Sequence, residues 1–130
     1  MTTTRLTRLI RRCVIAAAAA LVAVPATAAK DGDVLVRGTC TKASASKLKL
    51  SEEDGRIEVE FEVDQNRNGV RWTIVLRRPS AVLVRTTRVT RAPSGSFELR
   101  RVVADLAGSD RISARATSPS GEVCRATAEF

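Results

Sequence analysis

The sequence predicts an all-β fold, a single antiparallel sandwich of about seven or eight strands, immunoglobulin- or fibronectin III-like, that follows a cleaved signal peptide. Three observations carry this prediction. Apolar and polar residues alternate with a period of two, turn residues recur between the alternating segments, and residues 1–29 have the composition of an export leader. Alternation with period two favours strands because it places one face against a core and the other in water.

Residues 1–29 are predicted to be the signal peptide. Four arginines precede an apolar run at 14–24, which is about half the length of a transmembrane helix. Small residues follow at the spacing that a signal peptidase reads, so we expect cleavage near Ala28 or Ala29. The mature β-sandwich domain, residues 30–130, is expected to be secreted and to have no transmembrane span. Arg11 and Arg12 leave both general and twin-arginine export open.

The formal charge of +8 is partly due to the leader, which contains four arginines and no acidic residue. The mature part, with 18 Lys and Arg against 14 Asp and Glu, carries only +4. Nucleic acid is therefore not an expected partner, since it usually requires a concentrated basic patch. We expect a monomer.

The cysteines predict a disulfide. Cys13 leaves with the leader, so that Cys40 and Cys124 remain, one near each end of the mature chain. An even pair in an exported domain is typical of a disulfide. A metal or redox pair would require closer ligands or a CxxC spacing.

The clearest strands are predicted at 56–64 and 70–77, and we expect them to pair as a hairpin. Val63 would then lie opposite Trp72 and Asp64 opposite Arg71; if the strands slip by two residues, Glu62 lies opposite Arg71 instead. This pairing would neutralise an acidic stripe on the first strand with arginines of the second.

Weaker alternation predicts the remaining strands and their turns. They lie near 34–40, 48–50, 81–89, 97–103, 112–117 and 124–130, with a turn at 52–55 and a β-bulge at Arg100 and Arg101. Trp72, Phe61 and Phe97 are expected to anchor the core.

The segment 64–69 matches the opening of a calcium loop, with Asp64, Asn66 and Asn68 as candidate ligands. The match fails at its twelfth position, which is Val75, and Arg67 lies inside the proposed cage. Asparagine and glycine are also common at turns because they accept positive φ. We favour the plain turn and keep calcium as the alternative.

A candidate basic site consists of five arginines in the second half of the chain, namely Arg85, Arg88, Arg91, Arg100 and Arg101. Gathered on one face, they could bind an acidic polymer. Strand alternation separates Arg88 from Arg85 and Arg91, so the favoured interpretation is a set of arginines scattered over the surface.

The sequence contains no histidine, no GxSxG motif and no glycine-rich phosphate loop. We therefore expect neither an enzyme nor a cofactor.

The mature chain resembles uncharacterised small secreted proteins of actinobacteria. The matching stretches are the RGTC at 37–40, the segment that runs from the LKLS at 48–51 through Gly69, the APSGSFE at 92–98 and the GEVCR at 121–125. The DQNRNG at 64–69 is the most distinctive part. This resemblance implies an exported β domain with one disulfide and implies no activity. The leading hypothesis is a secreted, non-enzymatic module that binds a protein or a cell-envelope polymer through loops or a sheet edge. The alternatives are a calcium-stabilised extracellular structural domain and a small secreted enzyme.

Overall fold

The computed structural model describes residues 32–130, which form two antiparallel sheets and no helix. The strands are β1 (Val34–Arg37), β2 (Thr39–Cys40), β3 (Ala45–Glu53), β4 (Arg56–Asp64), β5 (Arg71–Arg78), β6 (Ala81–Val89), β7 (Ser96–Ala104), β8 (Arg111–Thr117) and β9 (Val123–Glu129). One sheet has the order β1-β3-β4-β7 and the other the order β2-β9-β8-β5-β6. This architecture confirms the predicted all-β sandwich. The predicted leader, with Cys13, Ala28 and Ala29, lies outside the described residues.

The core lies between the two sheets and is built from the alternating positions that the sequence indicated. Trp72 and Phe61 are fully buried and Phe97 is nearly so, with the Trp72 and Phe97 ring centroids 6.0 Å apart. The Trp72 indole N–H donates to the Gln65 side-chain oxygen at 3.1 Å, so the ring is buried without leaving its polar atom unpaired. The predicted aromatic anchors are confirmed.

The hairpin between β3 and β4 turns at Asp54 and Gly55. Both residues have positive φ, +50° and +72°, which matches the twist of the flanking strands as type I′ turns do. The Glu52 carboxylate accepts the Gly55 N–H at 2.7 Å. The turn predicted at 52–55 is therefore confirmed.

The predicted hairpin between 56–64 and 70–77 is wrong. β4 pairs with β3 and β7, whereas β5 pairs with β6 and β8 in the other sheet. Residues 65–69 therefore cross from one sheet to the other instead of closing a hairpin. Asp64 lies opposite Ala45 and Ser96, not opposite Arg71.

The strand predicted near 34–40 is divided at Gly38, where the chain passes from the four-stranded to the five-stranded sheet. A Cβ atom at Gly38 would lie 2.3 Å from the Ser46 Oγ and 2.5 Å from the Arg125 carbonyl oxygen. The chain can therefore cross between the sheets at this point because Gly38 has no side chain. It also gives nine strands where about seven or eight were predicted.

Two further details concern strand pairing. The β-bulge predicted at Arg100 and Arg101 is wrong, because β7 pairs with β4 in unbroken register. The observed irregularity lies between β5 and β6, where Leu83 is the extra residue. The consecutive strands β3 and β4 are also neighbours in one sheet, whereas the second and third strands of an immunoglobulin domain lie in opposite sheets.

A buried ion pair fastens one end of the sandwich. Arg78 Nε donates to Asp110 Oδ1 at 2.8 Å, and the Leu106 N–H donates to Asp110 Oδ2 at 2.8 Å. Burial alone raises the pKa of Asp110, but the Leu106 N–H and the Arg78 guanidinium outweigh it and hold the pKa below its usual value. The main chain of Asp110 also exchanges two hydrogen bonds with Phe130, so this carboxylate lies where loop 105–110 meets the last residue.

Candidate functional site

The outer face of the five-stranded sheet is rich in arginine. Trp72, Ile74 and Leu76 are buried, so the alternate residues of β5 point to solvent, and the same alternation holds in β6, β8 and β9. These outward positions hold six arginines and a single acidic residue. We call this surface the arginine face; its charged residues are Arg71, Arg77, Arg85, Arg111, Arg115, Arg125 and Glu129.

Register aligns three of these arginines in one row across the strands. Arg125 of β9 lies opposite Arg115 of β8, Arg115 lies opposite Val75 of β5, and Val75 lies opposite Arg85 of β6. The rows on either side of this arginine row carry hydroxyl side chains: Thr117, Thr73 and Thr87 on one side, and Ser113 and Thr127, in line with Arg77, on the other.

The charges of the arginine row are not neutralised within the described chain. On the arginine face, only Arg111 has an acidic neighbour, with its Nε 3.5 Å from Glu129 Oε1. Across residues 32–130, Arg85, Arg115 and Arg125 make neither an ion pair nor a side-chain hydrogen bond, and all three are exposed. Like charges directly opposite each other destabilise a sheet, so the pair formed by Arg115 and Arg125 is a cost to the fold.

The outer face of the four-stranded sheet is, by contrast, balanced in charge. Its acidic stripe lies on β4, and the lysines of β3 contact it: Lys47 Nζ is 2.9 Å from Glu62 Oε2, and Lys49 Nζ is 3.6 Å from Glu60 Oε2. The stripe is therefore neutralised by a neighbouring strand, as expected. The arginines predicted for this role, on β5, lie in the other sheet.

Arg100 of β7 completes this balance from the other side of β4. Its guanidinium pairs with Glu58 and holds the pKa of that carboxyl below its usual value. Burial and the adjacent Glu58 carboxylate raise the pKa of Glu60. The two outer faces thus differ in balance, since the four-stranded face carries acids and bases in similar number and pairs several of them, whereas the arginine face has six arginines and one acid.

The five arginines that the sequence suggested as a basic site do not form one patch. Arg85 belongs to the arginine face, and Arg100 lies on the opposite face of the sandwich. Arg88 and Arg101 occupy inward-facing register positions of the edge strands β6 and β7, and Arg91 follows β6. Inward-pointing charges on edge strands discourage pairing with another chain, which explains these two positions without a ligand.

The calcium candidates lie in the connection between β4 and β5. Asp64 Oδ1 accepts the Asn66 N–H at 2.9 Å, Asn66 has a φ of +56°, and both Asn66 and Asn68 are exposed. The buried Thr90 hydroxyl donates to the Arg67 carbonyl oxygen at 2.6 Å and so fastens the same segment. These contacts account for the segment as a turn, and calcium binding stays a prediction.

The predicted disulfide is present. Cys40 of β2 and Cys124 of β9 lie directly opposite each other, with an S–S distance of 2.03 Å. Their sulfur atoms lie within 4.8 Å of a Glu122 carboxylate oxygen. Both sulfurs are used by the bond, and Glu122 Oε1 accepts the Ser44 N–H at 2.9 Å, so this cluster has a structural role.

Sequence reasoning missed the arginine face because its members are dispersed along the chain. Each of four strands contributes one or two outward arginines, separated by as many as 54 positions between Arg71 and Arg125. The available signal was the excess of arginine at outward positions of predicted strands. Only strand order and register bring these positions together.

Comparison with protein-family models gives no match for this chain, and comparison with characterised proteins gives none either. The relationship to small secreted actinobacterial proteins therefore stays a prediction.

Proposed function

We propose that this protein is an exported, non-enzymatic β-sandwich module that binds an anionic polymer of the cell envelope through its arginine face. The observation that carries the proposal is the pair Arg115 and Arg125, two cations set directly opposite each other with no acid beside them in the described chain. Such a pair lowers stability. A binding surface gives it a use, because an anionic ligand supplies the missing charge.

The shape and composition of the face support a polymer as the ligand. Threonine and serine hydroxyls surround the arginines, and they can donate hydrogen bonds to anionic groups. The described aromatic side chains are buried or packed against the core, so this face lacks the stacking platforms that single-stranded nucleic acid uses.

Two findings are compatible with work outside the cell. The disulfide between Cys40 and Cys124 is of a kind that persists in oxidising compartments. In residues 32–130 no helix has the length and apolar character needed to cross a membrane.

The test is the salt dependence of binding to immobilised polyanions, using the full-length exported protein with its disulfide intact. Heparin and polygalacturonate serve as probes. The double variant Arg115→Gln/Arg125→Gln should weaken binding. It should also reduce the steepness of the slope of log affinity against log salt concentration by about 1.4, which is about 0.7 for each lost contact.

The matched control is Arg37→Gln/Arg56→Gln, which removes the same charge from the outer face of the four-stranded sheet. We expect the control to bind as the unmodified protein does. Equal losses in both double variants would show attraction by net charge alone, and retention of full affinity by the Arg115 and Arg125 variant would refute the proposal.

A further inference from the structure

We infer that the ligand is a linear phosphodiester polymer and that it lies across the strands, along the row formed by Arg125, Arg115 and Arg85. This inference rests on the proposed function and adds the chemical class of the polymer and its direction on the sheet.

The direction follows from where two outward arginines are immediate neighbours. Along any one strand the outward arginines are separated by other residues: Arg71 and Arg77 of β5 are separated by Thr73 and Val75. Across the strands, Arg125 and Arg115 are immediate neighbours, and Arg85 follows on the far side of Val75. Neighbouring strands are about 4.8 Å apart, so the row extends about 14 Å.

The width of the row indicates a thin ligand. The arginine row is one side chain wide, and the rows beside it carry hydroxyls on both sides, with Arg77 in one of them. Adjacent rows are about 6.7 Å from each other along a strand. A single flexible chain can contact the central cations and also hydroxyls of the adjacent rows.

The residue types indicate phosphate. The guanidinium fork binds two oxygens of a phosphate or a carboxylate. A carboxylate presents its acceptor sites mainly in one plane. The two non-bridging oxygens of a phosphodiester accept over a wider, tetrahedral range of directions, so that one group can accept from a guanidinium and also from a hydroxyl such as that of Thr73 or Ser113.

The test compares two triple variants with the same net charge on the same face. Arg85→Gln/Arg115→Gln/Arg125→Gln removes the row, and Arg71→Gln/Arg77→Gln/Arg111→Gln removes the arginines beside it. The probes are glycerol phosphate oligomers of defined length, oligogalacturonates of equal charge, and phosphatidylglycerol vesicles. Thermal unfolding shows that each variant is folded.

We expect the row variant to lose at least tenfold more affinity for glycerol phosphate oligomers than the flanking variant. Affinity should rise steeply with oligomer length until the chain covers the row and more slowly beyond that. Glycerol phosphate oligomers should also bind more tightly than oligogalacturonates.

Equal losses in the two triple variants, with binding otherwise intact, would overturn the track and leave the proposed function standing. Tighter binding of oligogalacturonates, or of vesicles, would overturn the phosphodiester assignment in favour of a carboxylate polymer or a lipid surface. Undiminished binding in both variants would overturn this inference and the proposed function together.

Discussion

Replacing Arg125 by glutamate should stabilise the protein while it weakens binding. The substitution places a carboxylate opposite Arg115 in the pair between β8 and β9. Two unit charges about 6 Å apart in water interact by about 0.7 kcal/mol, so exchanging repulsion for attraction changes stability by about 1.4 kcal/mol before salt screening. Screening reduces this to about 0.7 kcal/mol at physiological ionic strength.

The assay pairs thermal unfolding with a binding isotherm for the same sample. A gain of about 0.7 kcal/mol raises the Tm of a domain of this size by about 3–6 °C. Affinity for an anionic polymer should fall about tenfold, because one contact is lost and a repulsive charge is added. If Arg125 served folding and not binding, Arg125→Glu would lower the Tm and leave the affinity unchanged.

The control for this substitution is Arg37→Glu, since Arg37 also lies opposite a cation, Lys47, but on the other outer face. Lys47 already contacts Glu62, so the gain in Tm should be smaller, and binding should not change. A lower Tm for Arg125→Glu would refute the argument that the fold bears a repulsive pair. Unchanged affinity would refute the argument that the pair is there for a ligand.

Further predictions concern the ends and loops of the sandwich. Asp110→Ala should lower the free energy of unfolding by about 3 kcal/mol at neutral pH. Because the pKa of Asp110 is lowered in the fold, this difference is full above about pH 4 and disappears as the pH falls through the folded pKa. Urea unfolding at several pH values measures it. Replacing Cys40 and Cys124 by alanine opens a loop with a sequence separation of 84. We expect the free energy of unfolding in urea to fall by about 4–5 kcal/mol, and a fall below about 1 kcal/mol would contradict this. Gly95→Ala should lower the free energy of unfolding by at least about 2 kcal/mol, because φ is +68° and the new Cβ would lie 2.2 Å from the Arg67 nitrogen. The control Gly108→Ala should lower it less, because φ is +85° there but the space around the residue is open. The plain-turn interpretation of 64–69 predicts the same Tm in millimolar calcium and in chelator, and a calcium-dependent rise would favour the ion site.

Local alternation predicted the strands and their buried faces well. The inward set around Trp72 and the segment 81–89 could be identified from the sequence because a period of two depends only on neighbouring residues. The disulfide was predictable because only two cysteines, Cys40 and Cys124, follow the predicted leader.

The partners of each strand could not be predicted in the same way. The acidic stripe on β4 can be neutralised by any basic neighbour, so charge complementarity suited the wrong strand, β5, as well as the lysines of β3 and Arg100 of β7. The five residues at 65–69 are also compatible with either a hairpin or a crossing between sheets. The arginine face depends on these non-local choices, which is why Arg85 was the only member of it among the suggested basic residues.

The bond between Cys40 and Cys124 also determines how the protein would respond to a pulling force. Tension applied between Gly32 and Phe130 enters β1 at one end and β9 at the other and is transmitted directly from sulfur to sulfur. Residues 41–123 lie inside this covalent loop and experience none of it. Only residues 32–39 and 125–130, which include Arg125 and most of β9, can be drawn out, so β5, β6 and β8, with five of the six arginines of the arginine face, lie inside the loop and stay in place under load. A module held to a polymer by that sheet could therefore be pulled at its ends without losing most of the surface that holds it.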